Sequence, residues 1–297
     1  MIGLRRVETD AELEAWRQVR IAVLPNERTA TVEELRAAAR PGLVYLLAEL
    51  DAELAGSGAA GPSDMAGRGF VAPRVLPQAR RRGVGSAVLL ELAAHLVESG
   101  YALAGANVED PGSLAFAERF GFREVDRQVE QVRSVGTEPP AGPPEGVELV
   151  SVAERPELWR PVYESVGAQA FEDMALDQPL DVPLEQWEST WIGAPEAMFV
   201  AVADGEVIGC AGLMLDADLP ERAENALTAV RRDWRGRGVA SALKRATLAW
   251  AAENGIREVY TWTQRGNEDM RRLNEHLGYV TRAESISVRA PLPLTVR

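Results

Sequence analysis

The segment VLPQARRRGVGSAVL (75–89) returns 155 positions later as VRRDWRGRGVASALK (230–244), and the fold can be read outward from this pair. Each begins in apolar, strand-like residues, passes through arginines and glycines, and ends in a helix-forming run. Both fit the pattern RxxGxG/A, with Arg80, Gly83 and Gly85 in the first and Arg235, Gly238 and Ala240 in the second. Glycine or alanine at these places keeps side chains away, so successive backbone amides at a helix start can close around an anion. The candidate contacts to a linked diphosphate are Arg80, Arg81, Arg82, Gly83, Val84, Gly85 and Ser86 in the first copy. In the second they are Val230, Arg231, Arg232, Arg235, Gly236, Arg237, Gly238, Val239, Ala240 and Ser241. One such turn alone could be an ordinary strand-to-helix connection with solvated arginines; its repetition within one chain favours a ligand.

The repeat extends beyond the turn. Gly121 and Gly278, each followed by an aromatic residue, are 157 positions apart, so two copies of one mixed α/β fold are expected, differing by short insertions. The first copy predicts strands near 2–8, 44–51, 53–60, 68–76, 101–107 and 123–134, with helices 83–99 and 111–120. The second predicts strands near 147–153, 198–204, 207–215, 225–232, 258–264 and 281–289, with helices 238–254 and 267–277. Between them GTEPPAGPPEG (136–146) resists helix and sheet and suits a linker, dividing the chain into 1–135 and 147–297. A length of 297 residues leaves room for two such cores.

Composition narrows the partners. Lys plus Arg total 32 against 45 Asp plus Glu, a net charge of −13 that opposes nucleic-acid binding. The single cysteine, Cys210, and two histidines, His95 and His276, can build neither a disulfide framework nor a Cys/His zinc cage. Cys210 lies in an apolar strand and reads as a core residue; a reducing, cytoplasmic setting is expected. The start MIGLRRVETD lacks a signal-peptide pattern, and the apolar run VIGCAGLML (207–215) is strand length rather than membrane length. A P-loop needs a Gly-Lys pair that is absent, and a dinucleotide fingerprint needs a third glycine where Val88 and Ser241 stand.

The RxxGxG/A turns, with NEDMRRLNEHLGY (267–279) and FGF (120–122), resemble the GCN5-related N-acetyltransferase (GNAT) family over most of both halves. The resemblance implies two tandem acyl-CoA N-acyltransferase folds, each a mixed, mostly antiparallel sheet flanked by helices, with acetyl-CoA held by its pyrophosphate at the glycine turn. It also implies a carboxylate base eleven positions before the motif, which is Glu224 in the second copy and the side-chain-less Gly69 in the first. A free amine with a pKa of about 10 is protonated at neutral pH, so acetyl transfer to nitrogen needs such a base. A solvated carboxylate at a strand edge is an equal reading of Glu224. The backbone amide near Val230 is the expected donor to the thioester carbonyl.

The resemblance further implies a tyrosine acid four residues before the helix-terminal glycine. Asn274 and Ala117 stand there, so neither half supplies it; Asn274 is expected to hydrogen-bond the coenzyme, and thiolate can leave without an acid. Asn267, followed by Glu268 and Asp269, reads as a helix N-cap that can also touch the coenzyme. Trp159, Trp187 and Trp191 fall where an amine acceptor would sit, although core packing is the first explanation of them. The expected activity is acetylation of a small-molecule amine by direct attack, with the C-terminal half working and the N-terminal half structural or coenzyme-holding. A catalytically silent acyl-CoA-binding regulator is the alternative, and nothing in the sequence sets the oligomeric state.

Overall fold

The computed structural model describes residues 1–65, 67–139, 142–174, 180, 182–190, 192 and 194–295. Trp191, and Pro140 and Ala141 of the expected linker, lie outside the described residues. In chain order the first half holds β1 (Ile2–Arg6), α1 (Asp10–Val23), α2 (Val32–Ala37), β2 (Val44–Leu50), β3 (Glu53–Pro62), β4 (Gly69–Val71) and β5 (Arg74–Val75). Then come α3 (Val84–Glu98), β6 (Leu103–Val108), α4 (Pro111–Arg119) and β7 (Arg123–Ser134). The second half holds β8 (Val147–Ser151), α5 (Trp159–Val162), α6 (Ala168–Asp173), α7 (Leu184–Thr190), β9 (Met198–Ala203), β10 (Glu206–Leu215), β11 (Arg222–Asn225) and β12 (Ala229–Val230). It ends with α8 (Val239–Glu253), β13 (Glu258–Gln264), α9 (Glu268–His276) and β14 (Val280–Pro291).

Two compact units result: Met1–Arg127 with Glu284–Arg297, and Gln128–Ala283. The chain therefore passes from one unit to the other at 127/128 and 283/284, rather than in the proline-rich stretch at 136–146. The cause is strand placement. Gln128–Ser134 of β7 pairs antiparallel with β13, and Ile286–Pro291 of β14 pairs antiparallel with β6, so each half donates its last strand to the other half's sheet.

In the first unit the order is β1-β2-β3-β4-β6-β14, with β5 also on β3, and only the β4–β6 pairing is parallel. Local sequence explains the helix starts: Thr9 with Glu12 and Thr31 with Glu34 form capping boxes on α1 and α2, and Asp110 caps α4 ahead of Pro111. Helix α3 lies directly over β3 because β3 is built of small residues. A Cβ on Gly58 would come within 2.6 Å of Val88 and 2.9 Å of Leu92, so only glycine permits that approach. Val88, Leu92 and Leu96 are fully buried there against Ala60.

The second unit repeats the plan in the order β7-β13-β11-β10-β9-β8, with β12 on β10 and β11–β13 as its parallel pair. Its core joins Leu213, Leu248, Ala251 and Val259 around α8, and a second cluster of Trp159, Trp187, Phe171 and Met198 beneath α5 and α6. Among the described residues, no helix is long and apolar enough to cross a membrane.

Candidate functional site

Both glycine turns have the same build. Gly83 and Gly238 cap α3 and α8 with φ of 89° and 84°, a left-handed conformation that glycine adopts without strain. Arg80 and Arg235 fold back to donate through Nε to the carbonyls of Val75 and Val230, at 3.2 and 2.9 Å. Gly236, with φ of 73°, matches Arg81, which takes 63° despite its side chain. Among the described residues, the amides of 81–86 and 236–241 donate to no protein acceptor, which leaves two rows of N–H groups at helix starts.

The surroundings of the two turns differ. In the first unit β4 and β6 pair only at Gly69–Ala104 and Phe70–Gly105 and then diverge, with Ala72 and Pro73 bulged between β4 and β5. A cavity of about 1020 Å³ opens between the diverging strands, reaching Arg80, Arg81, Gly83, Gly85 and Ser86 at the turn. Arg82 is held aside by Asp51 at 3.0 Å, while Arg80 and Arg81 have no ion-pair partner among the described residues. An amide row, two available arginines and a cavity at the upper end of ordinary ligand pockets fit a phosphate-bearing coenzyme.

In the second unit the turn's arginines are engaged by protein carboxylates. Asp173, the last residue of α6, accepts from Arg232 at 2.6 Å and Arg235 at 2.5 Å, and Glu172 accepts from Arg232 at 3.1 Å. The guanidinium groups hold the Asp173 carboxyl down at about 2. Arg231 is tied to Asp233 and Glu206, and Arg237 stacks over Trp234 at 4.8 Å. Val230 pairs opposite Gly209 in the sheet, Val239, Ala240 and Ser241 form the first turn of α8, and Val84, Gly85 and Ser86 form that of α3.

Glu224 is the last paired residue before β11 and β13 part, opposite Tyr260, whose hydroxyl donates to its Oε2 at 3.1 Å. It is half-buried. The corresponding position in the first unit, read from the parallel pairing, is Phe70 rather than Gly69, because the second bulge holds one more residue. Subtraction along the sequence missed this by one, but neither residue offers a carboxylate.

Asn267 caps α9 by accepting from the Met270 amide at 3.2 Å. Asn274 is corrected from its expected coenzyme contact: it is fully buried, and its amide nitrogen donates to Gln131 at 2.9 Å and to Thr263 at 3.4 Å. Trp159 and Trp187 stack at 4.5 Å inside the core, with Trp187 wholly buried, so they present no open aromatic face. Burial pushes the Cys210 thiol up to about 12, in keeping with a core role.

One residue went unread in the sequence. Lys244 is the chain's only lysine, and it is buried on the inner face of α8. Its Nζ donates to Asn225 Oδ1 at 2.8 Å and lies 5.1 Å from the Tyr279 ring, while Asn225 donates to the Tyr279 hydroxyl at 3.0 Å. Burial lowers the ammonium to about 7. At the matching places the first unit has Leu89, Val71 and Phe122, which line its cavity. The signal available in sequence was a lone lysine where the 155-residue offset places a leucine.

Two parallel-strand splays, each facing an amide-lined helix start, define a duplicated acyltransferase architecture. The chain belongs to the acetyltransferase (GNAT) family, which it matches over residues 10–122 and again over 158–279. It is 30% identical over 115 residues to aminoglycoside N(6')-acetyltransferase type 1 of Stenotrophomonas maltophilia, covering 36% of this chain and 75% of that protein. Its fold resembles a tandem GNAT protein from the clavulanic acid biosynthesis pathway (TM-score 0.77, 20% identity, 98% of each chain). It also resembles a GCN5-related N-acetyltransferase from Sphaerobacter thermophilus (TM-score 0.72, 21% identity, 98% of this chain and 95% of that one).

Proposed function

We propose that the chain is an acetyl-CoA-dependent N-acetyltransferase for a small-molecule amine, acting in the cytoplasm, with its transferring site in the second unit. The first unit holds the coenzyme without turnover, since Phe70 stands where a base is needed. The observation that carries the proposal is the place of Glu224, at the mouth of a splay whose turn amides are unspent. The coenzyme supplies an activated acyl thioester. Glu224, oriented by the Tyr260 hydroxyl, takes the proton from the attacking amine, directly or through water. The amide near Val230 supports the charge that gathers on the carbonyl oxygen, and the thiolate leaves without a protein acid. The aminoglycoside-acetylating relative and the net charge of −13 favour polycationic amines as acceptors.

The test is thiol release from acetyl-CoA across a panel of aminoglycosides and polyamines. Glu224→Gln is expected to lose most of the rate near neutral pH and to recover it at high pH, where the amine deprotonates unaided. An unchanged rate across that range removes Glu224 from the mechanism. Tight coenzyme binding with no thiol release on any amine supports the regulatory alternative instead.

A further inference from the structure

The first unit's cavity has a second charged end that the phosphate cradle does not use. Arg74 lines it on β5, opposite Ser57 of β3. Its strand neighbour Val75 faces α3, lying 3.4 Å from where a Cβ on Gly85 would be. Alternation along the strand therefore sends Arg74 to the other face, toward α1, and its guanidinium lies 5.7 Å from the Trp16 ring. Trp16 is fixed in turn by its Nε1 bond to Gly58 O at 2.8 Å and by an edge contact with Tyr45. Val23 and Leu24, at the end of α1, continue the cavity on this side. The space thus runs from the glycine turn, past the free edge of β5, to Arg74.

Glu27 and Glu109 balance this guanidinium only in part, from a distance. It donates to Ala72 O at 3.4 Å and has no ion-pair partner among the described residues. Glu27, itself bound to Arg20 at 2.9 Å, and Glu109, on the cavity wall, both favour its charged form without an ion pair to it. Burial lowers Arg74 to about 10, against the opposing pull of Glu27 and Glu109. A half-buried cation without an ion pair is costly, and in a cavity wall that cost is offset when an anion enters. The second unit has Ala229 at the matching register, opposite Cys210, so the feature belongs to the first copy alone.

We infer that the first unit's cavity takes a thioester charged at both ends, with phosphates at the glycine turn and a carboxylate at the far end of the acyl chain paired with Arg74. The ligand class is a short dicarboxylic acyl-CoA. Planar guanidinium and carboxylate match bidentately, and the aromatic platform of Trp16 holds the fork in place. The inference rests on the coenzyme-binding reading of this unit.

Calorimetric titration of the full chain with CoA, acetyl-CoA, butyryl-CoA and succinyl-CoA tests it. Butyryl is the neutral control of matching length. Succinyl-CoA is expected to bind at least tenfold more tightly than butyryl-CoA, about 1.4 kcal/mol. Arg74→Gln should erase that preference while CoA itself binds as before, and Arg74→Lys should retain part of it. Unchanged CoA binding also certifies that the variants are folded. Equal affinities for succinyl- and butyryl-CoA, or a preference that survives Arg74→Gln, overturn the inference. So does Arg74-dependent binding of free succinate to acetyl-CoA-saturated protein, which would assign the carboxylate to an acceptor. If no thioester binds at all, the coenzyme reading fails instead.

Discussion

Lys244 offers a direct check on how the second unit is assembled, because a buried lysine leaves a thermodynamic signature. Its ammonium titrates near 7 in the folded protein and near 10.4 in an unfolded chain. Between those values the unfolded chain binds the extra proton, so unfolding becomes harder as pH rises through the window, with a limiting slope of about 1.4 kcal/mol per pH unit. Integrated from pH 8 to pH 10, Lys244 alone should add on the order of 2 kcal/mol to stability. With a urea m-value of about 2 kcal/mol/M that is a midpoint shift of roughly 1 M. Six of the seven tryptophans lie in the second half, so fluorescence follows this unit. The comparison protein is Lys244→Leu combined with Asn225→Val and Tyr279→Phe, which copies Leu89, Val71 and Phe122 and leaves no orphaned polar partner. It should lose the slope, and it should be the more stable protein at pH 7, where the lysine's desolvation weighs far more than at pH 10. Because the chain has one lysine, 13Cε-lysine labelling gives a single side-chain resonance whose titration reads the midpoint directly. A midpoint near 10, or equal pH slopes in the two proteins, refutes the reasoning.

Two further outcomes follow from the same structure. Asp173→Asn releases Arg235 and leaves Arg232 with Glu172 alone, so coenzyme affinity should rise by roughly twofold to fivefold, more at low salt; weaker binding by calorimetry would show that the carboxylate helps rather than competes. Trp187→Ala empties a wholly buried site stacked on Trp159 and should cost about 3–5 kcal/mol in urea unfolding; a loss under 1 kcal/mol would return these tryptophans to the acceptor site.

Much of this architecture was legible because its signals are local. The glycine turns, the helices that follow them and the Gly-aromatic ends of α4 and α9 each announce themselves within a few residues. The exchange of last strands was not legible. β7 and β14 have the composition of any half-buried strand, and which sheet accepts them depends on pairing across more than a hundred residues, as in Trp262 opposite Glu130. The one-residue difference in the bulge defeated counting for the same reason: Val75 and Val230 hold matching places, yet Phe70 rather than Gly69 matches Glu224. Asn274 was misplaced because helix spacing gives a position along α9 but not the buried neighbours, Gln131 and Thr263, that claim its amide. Lys244 and Arg74 carry no local signal of their burial, although each differs in kind from its counterpart in the other copy.

Those differences bear on why two copies of one fold persist in a single chain. The first unit keeps an apolar floor of Val71, Leu89 and Phe122 and an unpaired guanidinium at the far end, a combination suited to holding an anionic ligand along its whole length. The second replaces that floor with a hydrogen-bonded lysine, asparagine and tyrosine, and adds a half-buried carboxylate where the strands part. Burial lowers the lysine of that floor toward neutrality, whereas a guanidinium keeps its proton under nearly any burial.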